Sequence, residues 1–337
     1  MASLDPVGHD RALVDLKEIV SLVEQDLARV EVLFAEQFRS DVSLVAEIGR
    51  YIQDGGGKRI RPALLLLGCG LCGYRGERAT VLAGVVEFIH TATLLHDDII
   101  DQATVRRGRR SVNSRWGNDI TVLLGDFLYT KAMSMALSQD NLPILRLLSD
   151  VTLRMIEGQL LEIEKNGDLE ITDDDHVDII RRKTADLFSA CMRIGALLGG
   201  VAPEREAALA GYGLNLGVCF QMVDDLLDFT ADEKVLGKPT ANDLREGKLT
   251  LPVIFLLRRA GRRGVDMVSA VLSDRGFDRV SRDELVELAR EYGALDEARA
   301  LAERYAVLAR QDLAAFDRSP YREALMALPD FILARDH

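Results

Sequence analysis

Apolar residues return three and four positions apart along most of this chain, and that rhythm limits what it can fold into. Residues 11–30 read R-A-L-V-D-L-K-E-I-V-S-L-V-E-Q-D-L-A-R-V, with charges set between the apolar positions. This is the spacing of an amphipathic helix. The same period returns at 81–100, 119–137, 143–165, 175–198, 205–230, 249–260, 283–291 and 295–314, and no run alternates in the strand period. The breaks are short: G-G-G at 55–57, G-Y-R-G at 73–76, a polar stretch at 103–118, N-G-D at 166–168 and the polar loop 232–247. No linker or low-complexity tract divides the chain, so it reads as all-α, a single domain over 1–337 with about ten loose N-terminal residues. A hydrophobic share of 48% and only 8 prolines exclude disorder, and 337 residues bury enough apolar surface to fold without disulfides or a structural metal.

Charge removes some functions. Lys plus Arg number 42 against 54 Asp plus Glu, a formal charge of −12, so a nucleic-acid partner is not expected. No uninterrupted apolar run reaches the roughly 18 residues of a membrane span. The N-terminus, M-A-S-L-D-P-V-G-H-D, lacks the basic and apolar regions of a secretory signal. Cysteines stand at 69, 72, 191 and 219. Cys69 and Cys72 form a C-x-x-C with no second metal-ligand pair, inside L-L-L-L-G-C-G-L-C-G, which reads as small buried thiols on a helix. Reduced thiols suit a cytoplasmic home.

One acidic pattern occurs twice. Residues 97–101 are D-D-I-I-D and residues 224–228 are D-D-L-L-D, each following an apolar helical stretch. Positions i and i+4 share a helix face, so Asp97 with Asp101, and Asp224 with Asp228, each present two carboxylates along one edge. A single such motif would suit a solvated acidic face, but a pair with the same framing argues for metal. Hard oxygen ligands at this spacing suit Mg²⁺, which binds through one or two carboxylates plus substrate phosphates.

Cations answer the carboxylates. G-G-G-K-R-I-R-P at 55–62 sets Lys58, Arg59 and Arg61 beside flexible backbone amides, and V-R-R-G-R-R at 105–110 places Arg106 and Arg107 just past Asp101. No Walker loop is present. R-R-K-T at 181–184, G-K-P at 237–239 and E-G-K-L-T-L-P at 246–252 supply further cations. Lys238 and Lys248 flank or lie in the polar 232–247 loop, which suits a lid over anions. His90 and His96 precede Asp97 by seven residues and one.

In order, G-G-K-R-x-R-P, H-T-A-T-L-L-H-D-D-x-x-D, R-R-G, W-G-N, G-D-F-L-Y, R-K-T, F-Q-x-V-D-D-x-x-D, L-G-K and E-G-K-x-T-L-P resemble the all-trans polyprenyl diphosphate synthases, above all the long-chain bacterial octaprenyl and hexaprenyl types. The likeness runs from about residue 48 to 252. It implies a large isoprenoid-synthase helical bundle around a central cavity, and Mg²⁺-dependent condensation of isopentenyl diphosphate with an allylic diphosphate. Asp97, Asp101, Asp224 and Asp228 would hold two or three Mg²⁺ ions together with substrate diphosphate, with Asp98 and Asp225 in support. Arg106, Lys183, Thr184, Gln221, Lys238 and Lys248 would hold the allylic diphosphate, with Lys183 and Lys238 also acting in catalysis. Lys58, Arg61, His90 and Arg107 would hold isopentenyl diphosphate. The resemblance further implies a homodimer, with no transmembrane segment and at most peripheral membrane contact as product leaves.

Product length is read from the helix that bears the first acidic motif. In the resembling enzymes a bulky aromatic four or five residues before that motif closes the product tunnel; here those residues are Thr93 and Ala92. The tunnel is therefore expected to continue toward Ile89 and Phe88, giving a chain of about thirty carbons or more. The alternatives are a short-chain farnesyl or geranylgeranyl diphosphate synthase, a terpene cyclase-like enzyme, and a non-catalytic synthase subunit. The basic 55–62 segment disfavours the cyclase, and two intact acidic motifs disfavour the subunit.

Overall fold

The computed structural model describes residues 16–230 and 241–335. A short α1 (Leu16–Val20) leads through a tight turn into α2 (Glu24–Gln37), then α3 (Ser43–Asp54), α4 (Ile60–Leu71), α5 (Arg78–Ile100), α6 (Val112–Trp116), α7 (Asn118–Leu137), α8 (Leu142–Lys165), α9 (Asp173–Ile180), α10 (Asp186–Gly199) and α11 (Pro203–Thr230). Past the second described boundary come α12 (Asn242–Arg245), α13 (Leu251–Asp274), α14 (Arg282–Glu291), α15 (Ala294–Asp312) and α16 (Pro320–Leu333). The fold is all-α, as the periodicity predicts.

Local chemistry sets many of the helix ends. Asn141 caps α8 with Pro143 in its first turn, Thr172 and Asp175 form a reciprocal capping box on α9, and Ser281 with Glu284 does the same on α14. The strands among the described residues are the two-residue β1 (Val105–Arg106) and β2 (Arg109–Arg110), paired antiparallel. Arg107 and Gly108 make the turn, both with positive φ (53° and 72°), as a two-residue hairpin of this hand requires. The basic V-R-R-G-R-R segment is thus a rigid knuckle, a form that its charge pattern did not suggest.

The core gathers around α4, α5, α10 and α11. α5 packs between α4 and α7, α10 lies against α4, α8 and α11, and α15 covers the outer side of α11. Two glycines let backbones meet. A Cβ on Gly195 would come 2.7 Å from the backbone of Gly68 and Cys69, and one on Gly217 would come 2.6 Å from Ala185 Cα. Such contacts fix the depth at which α10 and α11 sit. Cys69, Cys191 and Cys219 are buried, Cys72 is half-buried, and all four are free thiols.

Two helices depart from the expectation about apolar length. α5 and α7 are long and apolar enough by composition to cross a membrane, but 67% of the α5 window is buried inside the fold, against 39% for α7. α5 is a core helix, and it ends in the Asp97–Asp101 motif. The sequence pattern also gave no sign of α16, which packs against α1, α4, α11 and α15.

Candidate active site

The two acidic motifs sit at the C-terminal ends of α5 and α11 and face one cavity of about 610 Å³. From α5, His90, Thr93, Leu94, Asp97 and Asp101 line it; from α11, Phe220, Gln221, Asp224, Asp225, Leu227 and Asp228 do. Both sets follow helical spacing, which is why the i, i+4 reading of each motif predicts its cavity edge. Burial pushes Asp97 up to about 6, with Asp101 adding to the rise and Lys183 opposing it.

The middle aspartate of each motif is more deeply buried than its neighbours. Asp98 is 2% exposed; its Oδ1 accepts from Arg106 Nε at 2.8 Å and Nη2 at 2.5 Å, and its carbonyl accepts from Asn113 at 3.1 Å. Burial raises the Asp98 pKa and Arg106 opposes that rise. Asp225 is 4% exposed and accepts from Gln221 and His176 at 2.9 Å each. Both middle carboxylates are therefore already in use within the protein.

Lys183 reaches the cavity because its helix is irregular. Between α9 and α10 the chain makes a π turn over Arg181–Ala185, with the Asp186 N–H donating to the Arg181 carbonyl. Such wide turns re-aim side chains and recur at functional sites. Gly158 of α8 accommodates it: a Cβ there would fall 2.6 Å from Arg182 Cβ and 3.0 Å from the Lys183 nitrogen. One turn along α8, the Glu162 carboxylate accepts from Lys183 Nζ at 2.5 Å and from Gln159 at 3.1 Å. Burial opposes ionisation of Glu162, yet Lys183 and Lys248 hold it below the usual carboxylate range.

Lys248 Nζ lies 2.9 Å from Asp101 Oδ1 and 2.8 Å from Glu246 Oε2. Burial would lower this ammonium's pKa, but Glu162, Asp101 and Asp243 together raise it above its ordinary value. Thr184 and Gln221 line the same wall and are hydrogen-bonded to each other at 2.9 Å. Arg335, just past α16, places Nη1 2.7 Å from Asp224 Oδ1 and its guanidinium 5.0 Å from the Phe220 ring centroid.

The second basic group converges at another wall. Arg61 Nη1 donates to His90 Nε2 at 3.0 Å, and the guanidinium lies 4.9 Å from the Phe188 ring centroid. Burial, reinforced by Arg61 and Arg107, lowers the His90 pKa well below the ordinary imidazole value, so His90 is a neutral acceptor. Arg107 donates to the Gly56 carbonyl, which ties the knuckle to the glycine run. Lys58 is mostly exposed and is absent from the cavity wall; the partial desolvation of its ammonium and the charge of Arg335 lower its pKa while Asp224 opposes. Arg59 turns away and pairs with Glu31 and Glu87. His96 also points elsewhere, its Nε2 3.3 Å from the Val122 carbonyl.

The chain-length residues separate. Thr93 lines the cavity, whereas Ala92 is 3% exposed and Ile89 1%, both packed into the core outside the cavity wall. Phe88 stacks on Phe34 at 4.4 Å, so the tunnel drawn toward Ile89 and Phe88 is filled here by core side chains. Apolar wall comes instead from Leu94, Met155, Ile179 and Ile180. Lys238 and residues 231–240 of the lid loop lie outside the described residues. Glu162, His176, Asp243 and Arg335 line the cavity without having been singled out by the sequence.

The donor set fits a hard divalent cation: carboxylate oxygens of two motifs face each other, with no thiol on the wall. Among the described residues no three such side chains converge into a preformed ion cage.

Comparison with known proteins agrees. The model of the polyprenyl synthetase family matches residues 42–287. The octaprenyl diphosphate synthase of Escherichia coli (strain K12) is 38% identical over 323 residues, spanning 96% of this chain and 100% of that one. Among solved structures, a polyprenyl synthase from Caulobacter crescentus CB15, complexed with calcium and isoprenyl diphosphate, superposes with a TM-score of 0.92 at 36% identity, covering 97% of this chain and 100% of that one. A decaprenyl diphosphate synthase from Rhodobacter capsulatus gives 0.90 at 34% identity, covering 96% and 100%. With paired acidic motifs and two basic walls around one cavity, a chain matched over this length belongs to the polyprenyl synthetase family.

Proposed function

We propose that this enzyme transfers an allylic prenyl group to isopentenyl diphosphate, repeatedly and with trans geometry, to make a long-chain polyprenyl diphosphate of about thirty carbons or more. The observation that carries the reading is the pair of carboxylate edges, Asp97–Asp101 and Asp224–Asp228, facing each other across one cavity whose walls bear two separate sets of cations. The octaprenyl and decaprenyl relatives support the long product, as does a small residue, Thr93, one turn below Asp97 on the cavity face.

In this reading Asp97, Asp101, Asp224 and Asp228 hold Mg²⁺. Bound there, it would neutralise the allylic diphosphate as its C–O bond breaks. Lys183, Lys248 and Lys238 bind the same leaving group, together with Arg106, Thr184 and Gln221, and stabilise the charge that develops on it. Arg61, Arg107, His90 and Lys58 orient isopentenyl diphosphate so that its double bond meets the allylic carbon. The departing diphosphate takes the proton that completes each addition, since it lies beside the carbon that loses it.

The whole chain serves as one domain, with α16 packed on α4 and Arg335 closing on Asp224 from its far end. It works as a homodimer in the cytoplasm. The support for pairing is an apolar stripe on α8 at Leu153, Ile156, Leu160 and Ile163, continued by Val122 and Leu123 of α7, all left exposed by the monomer. Product leaves by peripheral contact with a membrane.

The test is direct: labelled isopentenyl diphosphate with an allylic primer and Mg²⁺, then dephosphorylation and chromatography of the extract. A ladder ending at about thirty to forty carbons is expected. Products ending at fifteen or twenty carbons would reassign the enzyme to the short-chain class, and no extractable product would remove the prenyltransferase reading.

A further inference from the structure

His176 of α9 is 8% exposed and lines the cavity wall, although no acidic or basic motif contains it. It ends a run of three hydrogen bonds: His176 Nε2 to Asp225 Oδ2, Gln221 Nε2 to Asp225 Oδ1, and Thr184 Oγ1 to Gln221 Oε1, each 2.9 Å. An ionised carboxylate only accepts, so Asp225 fixes the direction of every bond in the run. His176 must bring Nε2–H to it, and Gln221 must bring its amide nitrogen. The Gln221 carbonyl is thereby turned toward Thr184, whose hydroxyl proton is spent on it.

A carboxamide has two N–H groups, and Asp225 takes one. The other belongs to Gln221 on a wall shared with Lys183, where an anion is to be bound. Without His176, Asp225 would keep a buried, unpaired oxygen and lose the contact that holds its rotamer. Gln221 could then turn over and offer a carbonyl, which repels phosphate.

We propose that His176 is a positioning residue that locks Asp225 and, through it, the Gln221 amide, so that an N–H faces the allylic diphosphate. The inference rests on the reading under Proposed function for the identity of that ligand, and it assigns Gln221 rather than Thr184 as the donor on this wall. It also gives Asp225, which lines the cavity beside Asp224 and Asp228, a role in aiming a neighbour, since both its oxygens already accept from His176 and Gln221.

Two substitutions test it on the full-length enzyme. His176→Leu keeps bulk and removes the donor; His176→Gln keeps an N–H near the place of Nε2. With farnesyl diphosphate as primer, His176→Leu is expected to raise KM for the allylic substrate about tenfold, as for a buried acceptor left unsatisfied, and KM for isopentenyl diphosphate less than about twofold. His176→Gln should return the allylic KM to within about threefold of wild type. Unchanged KM values in His176→Leu, an equal rise for both substrates, or failure of the glutamine variant to rescue would each overturn the inference. Nitrogen-15 spectra of the wild-type histidines add a measurement that needs no variant and no turnover: a His176 lacking a protonated Nε2 also overturns it. Wild-type enzyme that shows this proton but forms no prenyl product would instead defeat the prenyltransferase reading alone.

Discussion

Placing an aromatic side chain one turn below the first acidic motif separates two residues that the sequence could not rank. Thr93 is four residues before Asp97 and shares its face of α5, about 6 Å down the helix axis. Ala92 is five before, rotated by roughly 100° away from that face. The structure agrees: Thr93 is on the cavity wall, and Ala92 is 3% exposed within the packed core. Thr93→Phe therefore sends its ring into the space a growing chain must pass, one turn beyond the carboxylates. Its expected product ends at about fifteen to twenty carbons, and its folding cost is small because the ring enters a cavity. Ala92→Phe must find room among close-packed side chains, where overpacking costs about 1–3 kcal/mol. For a chain of this size that lowers Tm by about 1–4 °C. Any blocking it does is indirect, so its product should be longer than that of Thr93→Phe. Calorimetry and chromatography of dephosphorylated products read both quantities from the same preparations. An Ala92→Phe product as short as the Thr93→Phe product, or a Thr93→Phe product of wild-type length, would refute the geometric argument.

Other consequences can be measured more simply. Asp97→Asn and Asp224→Asn should each lower kcat by at least about a hundredfold with unchanged helical circular dichroism, since cavity carboxylates serve the ligand more than the fold; near-normal turnover in both would end the metal assignment. Metal affinity should depend on acidity: the ligand must be ionised, and burial holds Asp97 at about 6, so Mn²⁺ affinity should be level near pH 7.5 and fall as pH drops through 6, by up to about tenfold per unit. A flat profile between pH 7.5 and 5 would contradict this. Burial pushes Cys72 up to about 11 and Cys191 and Cys219 up to about 12. The native enzyme should consequently react slowly with a thiol reagent at pH 8 and release all four thiols only on unfolding. Rapid native labelling of more than one thiol would show that the core opens.

Much of the site was legible because its parts are local. The Asp97–Asp101 and Asp224–Asp228 edges follow from helical spacing alone, and Lys183, Arg61 and His90 belong to motifs whose order carries the family resemblance. What escaped depends on contacts between distant segments. Glu162 meets Lys183 across 21 residues, His176 meets Asp225 across 49, and Arg335 meets Asp224 across 111. No periodicity marks such pairs, since each residue alone reads as an ordinary polar position. The chain-length residues show a different limit: the sequence presents Ala92 and Thr93 side by side, but successive positions on a helix face different directions, so Thr93 lines the cavity while Ala92 is packed in the core. The knuckle at 105–110 shows in the sequence as charge alone, because its hairpin form depends on Arg107 adopting a left-handed backbone that sequence pattern does not favour.

The wide turn at Arg181–Ala185 has a consequence for how this region tolerates change. It holds one residue more than a regular helix would use over the same rise, so α9 and α10 belong to one rod cut into two phases. Removing a residue there would restore the regular helical phase through the rod. Every side chain on one side of the cut would then swing by about 100° relative to the other. Either Lys183 and Thr184 would leave the cavity, or the α10 side chains Leu187, Phe188 and Cys191 would leave the core. The segment should accept many substitutions and almost no change of length, and a shortened variant stable enough to purify should be an intact helix without a working site.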